Sequence, residues 1–311
     1  MRYAFIGLGE LGGKLASSLQ RGGFALTVHD RNPAATAPLA AIGATVAESP
    51  RAAAAAADAV ITCLPSPKVS ETVLTGADGI LAGLAPGGTW IEMSTLDRDG
   101  VLRLAARAAE HDVRMLEAPI TGGVHLAAIG KVAVLAGGDA DLLALHRPAL
   151  EAMGREVLHM GPLGSAAVMK VITNMLAFVH LVACGEALML ARRGGLDLAQ
   201  AFHAIRASSG NSFVHETEGQ LILNGSYDVG FTMEMACKDL GFALGFGRTF
   251  GVPLDLAALT EQTFVRARAA YGDGAQSTAV VKLLEDALGT DLRAPGFPAR
   301  LHAPPAADQN R

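Results

Sequence analysis

Apolar residues in the first half of the chain follow two alternating patterns. Short β-branched and aromatic runs predict strands at 2–6, 25–29, 59–63, 89–93, 114–117, 132–136 and 156–159. Between them, apolar positions recurring every three or four residues predict helices at 10–21, 51–57, 69–74, 97–111 and 139–153. Alternating strands and helices predict an α/β fold with a doubly wound, mostly parallel sheet covered on both faces.

The pattern changes after Gly161–Pro162, where helical periodicity alone continues to about residue 285. This change predicts an α/β domain at 1–162, an all-helical C-terminal domain at 163–295 joined by a long helix, and a tail at 296–311. The helical domain is apolar on more than one face, which predicts a homodimer or homotetramer.

The predicted joining helix has an unusual distribution of polar residues. Lys170 is the one Asp, Glu, Lys or Arg between Ser165 and Gly185, and Asn174 follows one turn later on the same face. The stretch is long enough for a bilayer, but polar residues interrupt it and no basic cluster flanks it. We therefore interpret it as a buried core helix and predict no membrane association.

A glycine motif stands between the first predicted strand and helix. It comprises Gly7, Leu8, Gly9, Glu10, Leu11 and Gly12, which fit G-x-G-x-x-G. In this context the glycines permit a tight turn, close approach of a pyrophosphate, and close packing of helix on strand. A glycine turn without a nucleotide is the alternative, but the strand–motif–helix order favours a Rossmann-type dinucleotide site.

Two residues at the end of the second strand bear on the cofactor. Asp30 lies 18 positions beyond Gly12, close to the spacing at which an acidic side chain binds the ribose hydroxyls of NAD and repels a 2′-phosphate. Arg31 follows at once and could instead pair with that phosphate. The sequence thus favours NAD and leaves NADP open.

A second candidate site is the segment Glu117-Ala-Pro-Ile-Thr-Gly-Gly, in which Thr121, Gly122 and Gly123 follow a strand and precede a helical turn. Backbone N–H groups there could bind an anion such as a carboxylate, although a tight turn also explains the glycines. Lys170 is the candidate acid or base, because burial favours the neutral amine. A structural lysine that reaches solvent is the alternative.

Composition narrows the classes of function. The net charge of −5 and the absence of a basic block give no indication of a nucleic-acid partner. The three cysteines form no CxxC pair, so neither a disulfide framework nor a metal site is predicted. The short apolar start runs directly into the glycine motif rather than forming a signal peptide, and we expect a cytoplasmic protein.

Taken together, these motifs resemble the β-hydroxyacid dehydrogenase family, which includes 3-hydroxyisobutyrate dehydrogenase and tartronate semialdehyde reductase. The motifs are Gly7 to Gly12, Glu92-Met-Ser-Thr95, Ala118 to Gly123, Lys170 with Asn174, and Phe231 with Lys238-Asp239. The resemblance covers residues 2 to about 290. It implies an active site between the two domains and the reversible oxidation of a small β-hydroxy acid by NAD or NADP.

The resemblance also assigns roles to residues. Lys170 would be the catalytic lysine, Asn174 would orient it and the substrate, and Thr121, Gly122 and Gly123 would bind the substrate carboxylate. The positions at which the family touches its nicotinamide cofactor correspond to Leu64, Pro65, Thr95 and Lys238. From local sequence alone, the loops at Leu64 and Thr95 are equally well explained as a strand end and a helix cap.

The chain departs from the family pattern near the substrate loop. Thr121 replaces the usual serine, and His125 stands in a segment that is commonly rich in glycine and alanine, where it could reach a substrate. These departures leave the substrate open among hydroxyisobutyrate, glycerate, serine, threonate and sulfonate analogues.

Two other functions share this architecture. One is an imine reductase, in which another residue usually replaces the catalytic lysine. The other is a non-catalytic nucleotide-sensing module that binds a protein partner and tends to lose the lysine. The presence of Lys170, Asn174 and the glycine loop argues against both.

Overall fold

The computed structural model describes residues 1–301 and divides into two compact units, one spanning Met1–Lys170 and one beginning at Val171. The domain limits predicted at 162 and 295 stay predictions. Most of the tail predicted at 296–311 lies outside the described residues.

A nine-stranded sheet organises the first unit. Its strands are β1 (Arg2–Ile6), β2 (Ala25–His29), β3 (Thr45–Val46), β4 (Ala59–Thr62), β5 (Thr89–Glu92), β6 (Arg114–Glu117), β7 (Ile120–Thr121), β8 (Val132–Gly137) and β9 (Gly154–Gly161). The order is β3-β2-β1-β4-β5-β6-β8-β7, and β9 pairs with β8. β8 pairs antiparallel with β6 and β7, and β9 runs parallel to β8, while the pairs among β1 to β6 are parallel. The predicted mostly parallel α/β fold is confirmed.

Helices cover both faces of this sheet. They are α1 (Gly12–Arg21), α2 (Pro33–Ala40), α3 (Pro50–Ala55), α4 (Pro67–Thr75), α5 (Arg98–Ala109), α6 (Gly123–Ala127) and α7 (Ala140–Met153). On one face, Phe5 and Ile61 pack with Leu15 of α1 and Leu150 of α7. On the other, Val60 and Trp90 pack with residues of α3, α4 and α5. Burial on both faces explains why these strands are apolar throughout rather than alternating.

The register of the parallel strands fixes where the loops lie. Ile6 pairs with Thr62, Thr62 with Glu92, and Glu92 with Glu117, so four strands end level with one another. The segments that follow these strands therefore emerge at a single edge of the sheet. Ligands bind at this carboxyl edge in doubly wound folds.

The second unit is helical. The long helix α8 (Ser165–Arg193) begins in the first unit and continues into the second, followed by α9 (Leu198–Arg206), α10 (Phe213–Asn224), α11 (Met233–Phe250), α12 (Asp255–Tyr271) and α13 (Lys282–Leu288). Its core contains Phe178, Leu188, Leu240 and Phe264. The helical C-terminal part that begins with a long helix is confirmed.

Only one side of α8 is buried, which departs from the predicted buried helix. Val171 and Leu188 are fully buried, whereas Ile172, Leu176 and Leu190 are exposed. By length and composition α8 is the one helix among residues 1–301 that could cross a membrane, and a third of its most apolar window is buried. A single helix of this kind is weak evidence for a membrane span, because core helices of soluble proteins pass the same test.

The sequence patterns missed α2 and β3. Pro33 and Pro38 and a run of small residues hide the helical periodicity of α2, although Asn32 caps it through a 3.1 Å bond from the Ala34 N–H. The strand β3 has two exposed residues and no apolar signal. Its position at the edge of the sheet comes from pairing with β2.

Candidate active site

The glycine turn between β1 and α1 has the geometry that a dinucleotide needs. Gly7 has φ +94°, which favours glycine, and a Cβ at Gly12 would lie 2.0 Å from the Gly7 carbonyl oxygen. A Cβ at Gly9 would meet no atom within 4 Å. The first and third glycines thus allow the close packing of turn and helix, while the second faces the open space where a pyrophosphate would approach. The glycines of this turn therefore fit the pyrophosphate of a dinucleotide cofactor, which is the group that the motif implies.

Asp30 is fixed beside this turn by backbone donors. Its Oδ2 accepts the Leu8 N–H at 2.7 Å, and its Oδ1 accepts the Asn32 N–H at 2.8 Å. The turn before α1 and the turn after β2 are therefore joined through one partly buried carboxylate. The neighbouring Arg31 is exposed.

Two further loops of the first unit are joined by Ser94. The Leu64 N–H donates to Ser94 Oγ at 2.7 Å, and the Ser94 N–H donates to Glu92 Oε1 at 2.7 Å. Burial raises the pKa of Glu92. The N-cap of α5 is Asp97, which accepts the Gly100 N–H at 2.8 Å, so Thr95 does not serve as this cap.

Sequence reasoning missed the part that Ser94 plays. The only signal in the sequence is that Ser94 stands next to Thr95 in the segment that ends β5. Its bond from the Leu64 N–H could not be predicted locally, because Leu64 follows the neighbouring strand β4. Leu64 and Thr95 are half-buried and Pro65 is exposed, all at the carboxyl edge of the sheet.

The predicted substrate loop adopts an unusual backbone conformation. Gly122 and Gly123 have φ values of +122° and +81°, so both need glycine. Thr121 ends β7, and His125 lies in α6, where burial lowers the pKa of its imidazole. The far end of α6 is bound to α1, because Ser18 Oγ donates to the Ala127 carbonyl at 3.3 Å.

Lys170 is buried, with 9% of its surface exposed, in the second turn of α8. A lysine in an apolar helix is costly to bury unless its ammonium or amine has polar neighbours. Asn174 lies four residues further along the same helix, and side chains at this spacing project from one face.

Within the second unit, the amide of Asn174 is bound to a buried carboxylate. Its Nδ2 donates to Asp239 Oδ2 at 2.6 Å, while Asp239 Oδ1 lies 2.8 Å from Lys238 Nζ. Asp239 has no exposed surface, and Lys238 Nζ also lies 5.1 Å from the centre of the Phe242 ring. The predicted residues Asn174 and Lys238 are therefore joined through Asp239.

The role of Asp239 in this link was not predicted from sequence. Its signal was the charged pair Lys238–Asp239 in an apolar segment, which on local sequence a solvated helix start explains better. The 65-residue separation between Asn174 and Asp239 can be closed only by tertiary packing.

Two family models match successive parts of the chain. Residues 2–161 match the family described as the NAD binding domain of 6-phosphogluconate dehydrogenase. Residues 164–284 match the family described as NAD-binding of NADP-dependent 3-hydroxyisobutyrate dehydrogenase. Together the two matches extend over both units.

Individual relatives are similar over nearly their whole length. The chain is 31% identical to 2-(hydroxymethyl)glutarate dehydrogenase of Eubacterium barkeri, over 94% of this chain and 97% of the relative. It is 37% identical to the NAD-dependent L-serine dehydrogenase of Pseudomonas aeruginosa, over 78% and 84%. The crystal structure of 3-hydroxyisobutyrate dehydrogenase from Salmonella typhimurium has 30% identity and a TM-score of 0.85, over 91% and 99%. The chain thus belongs to the 3-hydroxyisobutyrate dehydrogenase-like β-hydroxyacid dehydrogenases and is an NAD(P)-dependent oxidoreductase.

Proposed function

We propose that this protein interconverts a small β-hydroxy acid and its semialdehyde or keto acid, with Lys170 as general acid and base and NAD as the preferred cofactor. The observation that carries the proposal is the burial of Lys170 one turn before Asn174, whose amide is held by Asp239. The names of the relatives support the substrate class, since hydroxymethylglutarate and serine each combine an alcohol with a carboxylate.

Lys170 carries the proton in this mechanism. The nicotinamide of the bound cofactor supplies the hydride acceptor in oxidation and the hydride donor in reduction. In oxidation, the neutral amine of Lys170 accepts the hydroxyl proton as the carbonyl forms. In reduction, its ammonium donates a proton to the developing alkoxide.

The remaining proposed residues bind and orient. Thr121, Gly122 and Gly123 hold the substrate carboxylate, and His125 contacts the substrate. Fixing the carboxylate limits the positions that the reacting alcohol can take, which lowers the entropic part of the barrier. Asn174 orients the alcohol and the lysine.

Most of the proposed cofactor residues lie at the carboxyl edge of the sheet in the first unit, and Lys238 lies in α11 of the second unit. The glycine turn from Gly7 to Gly12 holds the pyrophosphate and Asp30 binds the adenine ribose, with Arg31 beside it. Leu64, Pro65, Thr95 and Lys238 contact the rest of the cofactor. The fixed carboxylate of Asp30 supports NAD, because a 2′-phosphate there would meet negative charge.

The variant Lys170→Ala tests the proposal. We expect turnover of the best hydroxy acid in a panel to fall by at least about a hundredfold, which is the usual contribution of a general acid or base. NADH binding, followed by its fluorescence, should stay the same. Lys282→Ala is the matched control, because Lys282 lies in α13 and belongs to none of the proposed sites.

Three outcomes would contradict the proposal. Near-normal turnover by Lys170→Ala would remove the lysine from proton transfer. Turnover of cyclic imines but of no carboxylated alcohol would favour an imine reductase, and tight NADH binding without any turnover would favour a nucleotide sensor.

We also propose that the protein forms a homodimer or homotetramer. The exposed apolar residues Ile172, Leu176 and Leu190 lie along one side of α8, and Leu256 and Leu259 are exposed on α12. Apolar faces of this extent commonly become buried in symmetric assemblies.

A further inference from the structure

A buried carboxylate stands at the beginning of the helix that carries Lys170. Glu117, the last residue of β6, is 1% exposed and accepts three backbone N–H groups from the start of α8. Its Oε1 accepts from Gly164 at 2.6 Å and from Ala166 at 3.0 Å, and its Oε2 accepts from Ala167 at 3.0 Å. All three donors are satisfied by a residue 47 to 50 positions earlier in the chain.

This contact replaces a local cap with a tertiary one. The first N–H groups of a helix have no partner within the helix and attract negative charge. For α7 the preceding residue, Asp139, supplies an acceptor to the Leu142 N–H at 2.8 Å. For α8 the acceptors come from the sheet, so the cap also fixes where the helix begins relative to β6.

The Glu117 carboxylate occupies space that is free because residue 137 is a glycine. A Cβ at Gly137 in β8 would lie 2.2 Å from Glu117 Oε1 and 2.9 Å from Glu117 Cγ. Any side chain there would displace the carboxylate. Burial raises the pKa of Glu117, while the three N–H donors lower it and favour the charged form.

Glu117 also stands directly before the proposed substrate loop. The next residue, Ala118, donates its N–H to the Glu92 carbonyl at 2.7 Å, which continues the strand pairing up to the loop. Thr121 follows shortly along the chain. On the other side of the contact, Lys170 lies one turn beyond Ala167, about 4.5 Å along the helix axis.

We propose that Glu117 is a positioning residue that sets the location of the Lys170 amine relative to the substrate loop at Thr121–Gly123. One carboxylate holds the end of the strand that leads to the loop and the start of the helix that presents the lysine. The inference rests on the proposed function, because it gives Lys170 the role of acid and base. Displacement of a catalytic group by about 1 Å can slow a reaction about a hundredfold.

The variant Glu117→Gln tests the inference. The amide can keep the bonds from Gly164 and Ala166 but places an NH2 group against the Ala167 N–H and removes the negative charge. We expect kcat per NADH-binding site to fall about tenfold to a hundredfold, with the KM for NAD within about twofold of wild type, since the cofactor turn is not altered. Counting active sites by NADH titration corrects for any loss of folded protein.

Three further variants separate positioning from simple destabilisation. Gly137→Ala leaves Glu117 intact but displaces its carboxylate, and should lower kcat per site in the same way. Glu117→Asp keeps the charge and should recover part of the rate. Asp139→Ala removes an ordinary helix cap in the same unit, and should lower the melting temperature while leaving kcat per site unchanged.

The outcomes distinguish this inference from the proposed function. If Lys170→Ala is inactive but Glu117→Gln and Gly137→Ala keep wild-type kcat per site, the positioning role is wrong and the lysine assignment stands. If Asp139→Ala lowers kcat per site as much as Glu117→Gln, the effect is general destabilisation and the inference fails. If Lys170→Ala keeps its turnover, the proposed function itself is wrong.

Discussion

At the scale of single residues, the carboxylate of Asp30 joins two turns and carries the charge on which the proposed preference for NAD depends. Both of its oxygens accept backbone N–H groups, from Leu8 and Asn32, and these bonds hold a negative charge beside the glycine turn. Hydrogen bonds to a charged acceptor are stronger than those between neutral groups. The same charge that orders two turns is therefore available to discriminate between cofactors.

We predict that Asp30→Asn shifts cofactor preference towards NADP. Removing the charge removes the repulsion of a 2′-phosphate and weakens binding of the ribose, so the ratio of kcat/KM for NAD to that for NADP should fall by about tenfold or more. Steady-state kinetics with both cofactors measure this ratio. Asp99→Asn, an exposed position on α5, is the control and should leave the ratio unchanged. An unaltered ratio in Asp30→Asn would contradict the proposed preference for NAD.

At the scale of elements, successive turns of the long helix α8 have different roles. Its first turn is bound by Glu117, its second carries Lys170, and its later turns pack through Phe178 and Leu188 on the helical core. Its other side is apolar and exposed. A helix that is apolar on both sides generally has a partner on each of them.

We predict that Leu190→Glu dissociates the proposed oligomer. Leu190 is 76% exposed at the end of the apolar side of α8, and a carboxylate there would have to be buried in any interface that covers this side. Light scattering after size exclusion should give a mass close to the 31.9 kDa monomer. Leu145→Glu places the same charge on α7, where Leu145 is 47% exposed, and should leave the mass of the assembly unchanged. Retention of the wild-type mass by Leu190→Glu would exclude this side of α8 as the interface.

At the scale of the whole molecule, we expect stability in acid to depend on a buried histidine of α7 that packs against the sheet. His146 of α7 is 1% exposed, and its Nδ1 lies 3.1 Å from the Tyr3 hydroxyl of β1. Burial lowers the pKa of His146 to about 4. Because the unfolded chain binds a proton at a higher pH than the folded protein, His146 destabilises the fold progressively as the pH falls from about 6.5 to about 4.

We predict that His146→Asn flattens the pH dependence of unfolding. At about pH 8 and above the histidine is almost wholly neutral in both states, so the variant should show only the loss of packing. Towards pH 4 the wild type should lose on the order of 3 kcal/mol that the variant does not lose. Urea titrations across this range measure the difference, with His111→Asn at an exposed position as the control. Parallel curves for wild type and His146→Asn would contradict the assignment.

The sequence by itself determined the fold class and most of the first unit. The buried strands are continuous apolar runs, and α1, α5 and α7 have regular helical periodicity, so local pattern and final structure agree. The turn from Gly7 to Gly12 was predictable because the spacing of its glycines between a strand and a helix is a known motif, and part of what it requires is local: the positive φ of Gly7 and the close contact of Gly12 with the Gly7 carbonyl. The packing of Gly7 against the Cys63 carbonyl is a tertiary contact. The enzyme class followed from the order of several such motifs and is confirmed by the family matches.

Tertiary structure alone decided the contacts that join distant segments. Glu117 and the start of α8, Asn174 and Asp239, and Leu64 and Ser94 are brought together by packing across 30 or more residues. A carboxylate or hydroxyl of this kind has no periodic signature, because its partners are backbone groups whose positions depend on the assembled sheet and helices. Local pattern thus identifies the residues whose side chains could bind or react, and tertiary packing decides which of them contact one another.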